Sequence, residues 1–212
     1  MKLRIKTPSE LEKELLKIVN NISNPVIFFD TGGLIDLVES FRQDSIKTKH
    51  KKNYSISILR FIDPYKSKAQ LMLLGEVFKE VFGHKNTRIN QFTSEFPQEV
   101  FSYLYDLSIG TAFILENKFK DLSTKILSVE EVLNSAFEKC LERGSKKYNE
   151  CFSYADSQIL AHVMALSTYK NIPKPVITFS SDKHIDDAVS FIKKYSCWRH
   201  SIQNIMTRTY KK

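Results

Sequence analysis

Pro25-Val26-Ile27-Phe28-Phe29-Asp30-Thr31-Gly32-Gly33-Leu34-Ile35-Asp36-Leu37-Val38 is the stretch around which the chain is organised. Val26 to Phe29 is apolar without alternation, too short to cross a bilayer and suited to a strand buried on both faces. The run ends in a carboxylate, Asp30. A Thr-Gly-Gly turn is expected next, and Leu34, Ile35, Leu37 and Val38 then recur as on the inner face of a helix. The reading is strand, tight turn, helix, with Asp30 at the carboxyl end of a parallel strand. That is the edge where open α/β sheets bind ligands.

A second stretch repeats the pattern. Val176-Ile177-Thr178-Phe179 reads as another buried strand, and Ser180-Ser181-Asp182 carries it into a helix expected to run to about Tyr195. If the two strands are parallel neighbours, Asp30 and Asp182 emerge on one edge. Asp156 is the third candidate, on a helix expected from Ser153 to Tyr169. Glu95, in INQFTSEF, is chosen as a fourth acid from the middle of the chain, with Glu99 as the fallback. Like charges brought together repel unless a cation neutralises them. An oxygen-only set suits the hard ions Mg²⁺ or Mn²⁺, which support in-line phosphoryl displacement. Each acid also has a structural reading: turn residue for Asp30, helix N-cap for Asp182, capping box with Ser153 for Asp156, first-turn glutamate for Glu95.

Composition fits this chemistry. The 212 residues hold 32 Lys and Arg against 24 Asp and Glu, a net charge of +8 that favours a polyanionic partner. The hydrophobic fraction of 42% is that of an ordinary globular chain. Cys140, Cys151 and Cys197 are odd in number and far apart, so no disulfide framework is expected and the residues read as inert. No signal-peptide core is visible, and no run reaches the roughly 20 apolar residues of a membrane span. A cytoplasmic protein is expected.

The rest of the chain reads mainly as helix. Thr7-Pro8-Ser9-Glu10 opens one with a capping box, and Leu11, Leu15, Ile18 and Val19 form its inner face. The helix after Gly33 is expected to end near Phe41, and the basic stretch 43–54 reads as a solvated loop. Within it Lys47, Lys49, Lys51 and Lys52 are candidates for phosphate contacts. Ser55 to Ile62 fits either a strand or a helical turn. A helical stripe runs from Ser67 to Phe82 and stops at Gly83. Three more helices are expected at Phe96–Leu107, Thr111–Ile126 and Val129–Arg143, the last capped by Ser128 and Glu131. The tail, QNIMTRTYKK, reads as an edge strand. Asp36 is expected to face solvent, and Tyr195 and Trp198 to pack. His84 lies at a helix end, and His162 and His184 lack the spacing of a metal-binding pair.

Three of these stretches together resemble a known family. FFDTGGLIDL resembles the opening motif of PIN-domain nucleases. Tyr154-Ala155-Asp156-Ser157-Gln158-Ile159-Leu160-Ala161 resembles that family's third-acid helix, and Ile177 to Lys183 its final strand and acid. The motifs occur in the family's order and cover both ends of the fold, while the middle matches poorly. The resemblance implies a three-layer α/β/α sandwich with a central parallel sheet, here a single domain over 1–212 with a helical elaboration around 64–150. It implies a Mg²⁺- or Mn²⁺-dependent endoribonuclease whose metal-binding acids are Asp30, Glu95, Asp156 and Asp182. Thr31 and Ser181 would orient ligands or water. RNA is the implied substrate, and an antitoxin-like protein partner and a homodimer stay open. The chain departs from the compact toxin-type members in its length. It departs from the family also where an acid often follows the last aspartate, since His184 stands there and Asp186 comes later.

Two other classes are weighed against this one. A PIN-like scaffold could bind RNA or protein without cutting. A haloacid-dehalogenase-type phosphohydrolase also starts from a strand ending in Asp, but it wants a second aspartate where Gly32 stands. Gly32-Gly33 lacks the spacing of a dinucleotide fingerprint or a P-loop.

Overall fold

Val26–Phe29, strand β2, is buried at all four positions, as an apolar run lacking alternation requires. In the computed structural model, which describes residues 3–47, 54–83, 98–142 and 153–210, β2 lies inside a four-stranded parallel sheet. Its neighbours are β3 (Gln70–Met72) and β4 (Val176–Ser180), and β5 (Ile202–Met206) completes the order β3-β2-β4-β5. Phe28 pairs with Met72 on one side and Thr178 on the other. A separate antiparallel pair joins the chain ends, β1 (Leu3–Ile5) with β6 (Arg208–Tyr210).

Helices flank this sheet, in a manner consistent with three layers. They are α1 (Pro8–Asn21), α2 (Thr31–Lys47), α3 (Tyr54–Lys66), α4 (Gly75–Gly83), α5 (Gln98–Lys118), α6 (Leu122–Glu142), α7 (Tyr154–Ser167) and α8 (Lys183–Ile192). The topology decides where a site can form. From β2 the chain crosses over to β3 on one side, and from β4 it crosses to β5 on the other. Right-handed crossovers in opposite directions send their helices to opposite faces. The connections therefore part above adjacent β2 and β4, opening a crevice at their carboxyl ends. Asp30 and Asp182 stand there.

The glycines after Asp30 serve packing and not a turn. Helix α2 starts at Thr31, directly after Asp30, and Leu34 N–H already donates to Asp30 O at 2.9 Å. A Cβ on Gly33 would lie 2.1 Å from the backbone oxygen of Phe179, so the absent side chain is what lets α2 seat against β4.

Several expectations change. Helix α2 runs to Lys47, beyond Phe41, and residues 48–53 lie outside the described structure, as do Lys49, Lys51 and Lys52. Ser55 to Ile62 is helical, within α3. The stripe from Ser67 is not one helix. Leu71 to Leu74 are four consecutive buried residues, and the first part of that run is strand β3, paired to β2. The middle of the chain is thus not purely helical. The three helices expected between Phe96 and Arg143 are two. Gly110, where a Cβ would meet nothing within 4 Å, sits inside α5 without breaking it. Ser128 lies inside α6 and donates to Lys125 O, so it caps nothing. Strand β1 was not foreseen.

Other elements match their sequence signals. Thr7 and Glu10 form the capping box of α1, with Leu11, Leu15 and Ile18 buried. Trp198 is buried and ring-packed on Tyr195. Cys197 is a free thiol. No helix among the described residues is long and apolar enough to cross a membrane.

Candidate active site

Asp30 leaves β2 still in the ladder: its N–H donates to Phe179 O at 3.1 Å, and its side chain is only 2% exposed. Oδ2 accepts from Ser180 Oγ at 2.7 Å and from Gly32 N–H at 3.2 Å. The same Ser180 hydroxyl accepts from Asp182 N–H at 2.9 Å. One serine at the end of β4 thereby ties the two strand-end aspartates together. Asp182 is the N-cap of α8, where Oδ1 accepts from His184 N–H.

Asp156 is the N3 residue of α7. Its Oδ2 accepts from Ser153 N–H at 2.7 Å, and Ser153 Oγ accepts in return from Asp156 N–H at 3.2 Å. The capping box read from the sequence is present, and it does not exclude a further role, because the carboxylate is buried and senses the charges of Asp182 and Glu80.

The fourth acid of the cluster comes from an unexpected place. Thr31 Oγ1 donates to Glu80 Oε2 at 2.5 Å, so the first residue of α2 holds a glutamate of α4. Glu95 lies outside the described residues. Glu99 is exposed on the first turn of α5.

Electrostatics shows how these groups sense one another. Burial pushes the Asp30 carboxyl up to about 7, and the charges of Asp156, Asp182 and Glu80 push the same way against the opposing Ser180 hydrogen bond. Burial also lifts Asp156 to about 6, again aided by Asp182 and Glu80 and opposed by the cap at Ser153. Two carboxyls on separate elements are thus held far above the usual range, in part by the same two acids. Asp186 does not belong to the group: its Oδ1 accepts from Asn204 on the β5 side.

No known family model matches the chain, no curated protein matches its sequence, and no solved structure matches its fold. The site's chemistry is therefore argued from its own residues.

A divalent ion can be tested against them. Among the described residues no group of three or more His, Cys, Asp or Glu side chains is placed to hold a metal ion. The hydrogen bonds that the three aspartates accept among those residues fall on one oxygen each: Oδ2 of Asp30, Oδ2 of Asp156 and Oδ1 of Asp182. The donor set is all oxygen, and Asp30 and Asp156 are raised first by burial and then by the charges of neighbouring acids. That combination fits Mg²⁺ or Mn²⁺ better than Zn²⁺.

Asp36 corrects the sequence reading. It is fully buried, not solvated: Oδ2 accepts from Thr207 Oγ1 at 2.7 Å and Arg208 Nε at 2.8 Å, and Oδ1 from Arg208 Nη2 at 2.9 Å. His162 is a packing residue whose Nδ1 donates to Gln158 O at 2.7 Å, with its ring against Phe28. It lines a cavity of about 510 Å³ with Glu76, Thr111, Leu115 and Gln158, and none of the four acids borders that cavity.

The sequence did hold a signal for Glu80. Leu71-Met72-Leu73-Leu74-Gly75-Glu76 repeats the logic of the opening stretch: a buried run, a glycine, then a helix. Reading 67–82 as one helix hid the strand, and with it the fact that α4 starts at the same sheet edge as Asp30.

Proposed function

We propose that the protein is a PIN-like, divalent-metal-dependent ribonuclease. The observation that carries this reading is the placement of Asp30 and Asp182 at the carboxyl ends of adjacent parallel strands, with Asp156 and Glu80 near enough that their charges help push Asp30 up to about 7. The PIN-type motifs around three of these residues and the chain's +8 net charge support it.

Asp30, Glu80, Asp156 and Asp182 would hold the ion. Bound there, it would supply the positive charge that in-line displacement at a phosphodiester requires. The chain's own contribution is placement. Ser180 fixes Asp30 and the backbone of Asp182 together, and Thr31 fixes Glu80 to the start of α2. Gly33 lets that helix sit close enough to β4 for both to act at one edge. The basic surplus favours a polyanion over a small phosphate ester, and a single-stranded or structured RNA is the substrate the motifs imply.

The test is cleavage of a fluorescent RNA with Mn²⁺ present. The wild type should cleave, Glu80→Gln should lose at least about a hundredfold in rate, and Glu99→Gln should match the wild type. A wild type inert on RNA, or a Glu80→Gln protein of full activity, contradicts the reading. A scaffold that binds RNA without cutting would show binding and no metal-dependent product.

A further inference from the structure

Asp36 and Arg208 have more order than a surface ion pair needs. The carboxylate is fully buried, and it grips the guanidinium from the side through Nε and Nη2 while Thr207 Oγ1 also donates to Oδ2. A guanidinium carries five N–H donors, and this bridge uses two of them. Among the described residues Nη1 donates to nothing. The side chain as a whole is 39% exposed.

The position of that guanidinium follows from the sheet. Met206, the last residue of β5, stands beside Ser180 in the register, and Thr207 N–H donates to Ser180 O at 2.9 Å. Arg208 therefore begins β6 at the same sheet edge from which Ser180 leads to Asp182. Its guanidinium lies within electrostatic reach of Asp182 as well as Asp36. The pairing of β6 with β1 and the Lys6 bond to Met206 O hold this end of the chain in place.

We propose that Arg208, aimed by Asp36, is a phosphate-binding residue that takes a non-bridging oxygen of the RNA strand alongside the acidic site. Planar forks with fixed geometry are suited to phosphate oxygens. Here the rotamer is set before the ligand arrives, so less entropy is lost on binding. A purely structural clamp would need only the Nε and Nη2 edge. The geometry also gives the site opposite charges in separate places: carboxylates for the ion, a cation at the rim for the strand. This inference rests on the ribonuclease reading for its ligand.

The experiment measures binding of a labelled single-stranded RNA by fluorescence anisotropy against KCl concentration, with Mn²⁺ present and Asp30→Asn as the non-cleaving background. Removing Arg208 alone would strand the buried Asp36 charge, so the main variant is the pair Asp36→Asn with Arg208→Gln, which keeps a neutral hydrogen-bonded couple. Circular dichroism verifies its fold, and Arg208→Lys, which keeps the charge without the fork, is the second variant. The paired variant should weaken binding about tenfold near 0.1 M salt. It should also lower the slope of log K against log salt by about 0.7, one phosphate contact on a single strand. Arg208→Lys should keep the slope and lose part of the affinity. An unchanged slope in the paired variant, or in an Arg208→Gln protein that folds, overturns the inference and leaves the nuclease reading standing. Failure of the wild type to bind or cleave RNA at all overturns both.

Discussion

Replacing Asp30 by asparagine should make the metal-free protein more stable, and the gain should depend on pH. The folded state holds this carboxyl near pH 7 against an ordinary value of 3.8. Below pH 4 both states carry the proton and the group is silent. Between pH 4 and 7 the folded state keeps a proton that the unfolded state has released, so stability falls as pH rises. Each tenfold difference in proton affinity equals about 1.4 kcal/mol, so the full cost, reached above pH 7, is about 4 kcal/mol. From pH 5 to pH 8 Asp30 alone accounts for a fall of about 3 kcal/mol. Asp156, held near pH 6, adds about 1 kcal/mol to that fall. The single Trp198 is buried, so its fluorescence can follow urea unfolding in EDTA at both pH values. The wild type should lose up to about 4 kcal/mol between them. Asp30→Asn should lose less than half of that and exceed the wild type at pH 8 by up to about 4 kcal/mol. Added Mn²⁺ should reverse the order by stabilising only the wild type. Wild-type stability that is flat or rises from pH 5 to pH 8 in EDTA would refute the picture of mutually repelling buried carboxyls.

Two glycine substitutions test how α2 is seated. Gly33→Ala places a methyl 2.1 Å from the Phe179 backbone oxygen, which cannot rotate away, and should cost about 3 kcal/mol in urea unfolding. Gly32→Ala meets Ser181 Oγ at 2.2 Å, a side-chain end that can turn aside, and alanine favours the helix, so the change should stay within about 1 kcal/mol. Equal costs at the two positions would show that close approach to β4 is not what the second glycine provides.

The strand ends were legible because a fully buried strand has a plain signature. Val26–Phe29 is apolar throughout and Val176–Phe179 at all but Thr178, both are buried at every position, and each is followed within a few residues by an aspartate and a helix. The same logic failed at Leu71–Leu74, where the spacing of Leu71, Leu74, Val77 and Val81 happens to fit a helix. A four-residue buried run carries no periodicity of its own, so the longer pattern won. The price was Glu80, whose place at the sheet edge follows from β3 and not from its neighbours in sequence. Asp36 was hidden for another reason. Its partners, Thr207 and Arg208, lie at the far end of the chain, and no local pattern announces a buried ion pair closed over such a distance. At Asp156 the Ser153 capping box is formed as read, and the same carboxyl senses the charges of Asp182 and Glu80, which no local pattern announces.

Crystals grown with Mn²⁺ and measured at the manganese absorption edge test the central claim most directly. The account predicts an anomalous peak bordered by the carboxylates of Asp30, Glu80, Asp156 and Asp182, absent from Asp30→Asn crystals grown the same way. Manganese bound elsewhere, or a site among these acids that Asp30→Asn leaves fully occupied, would contradict it.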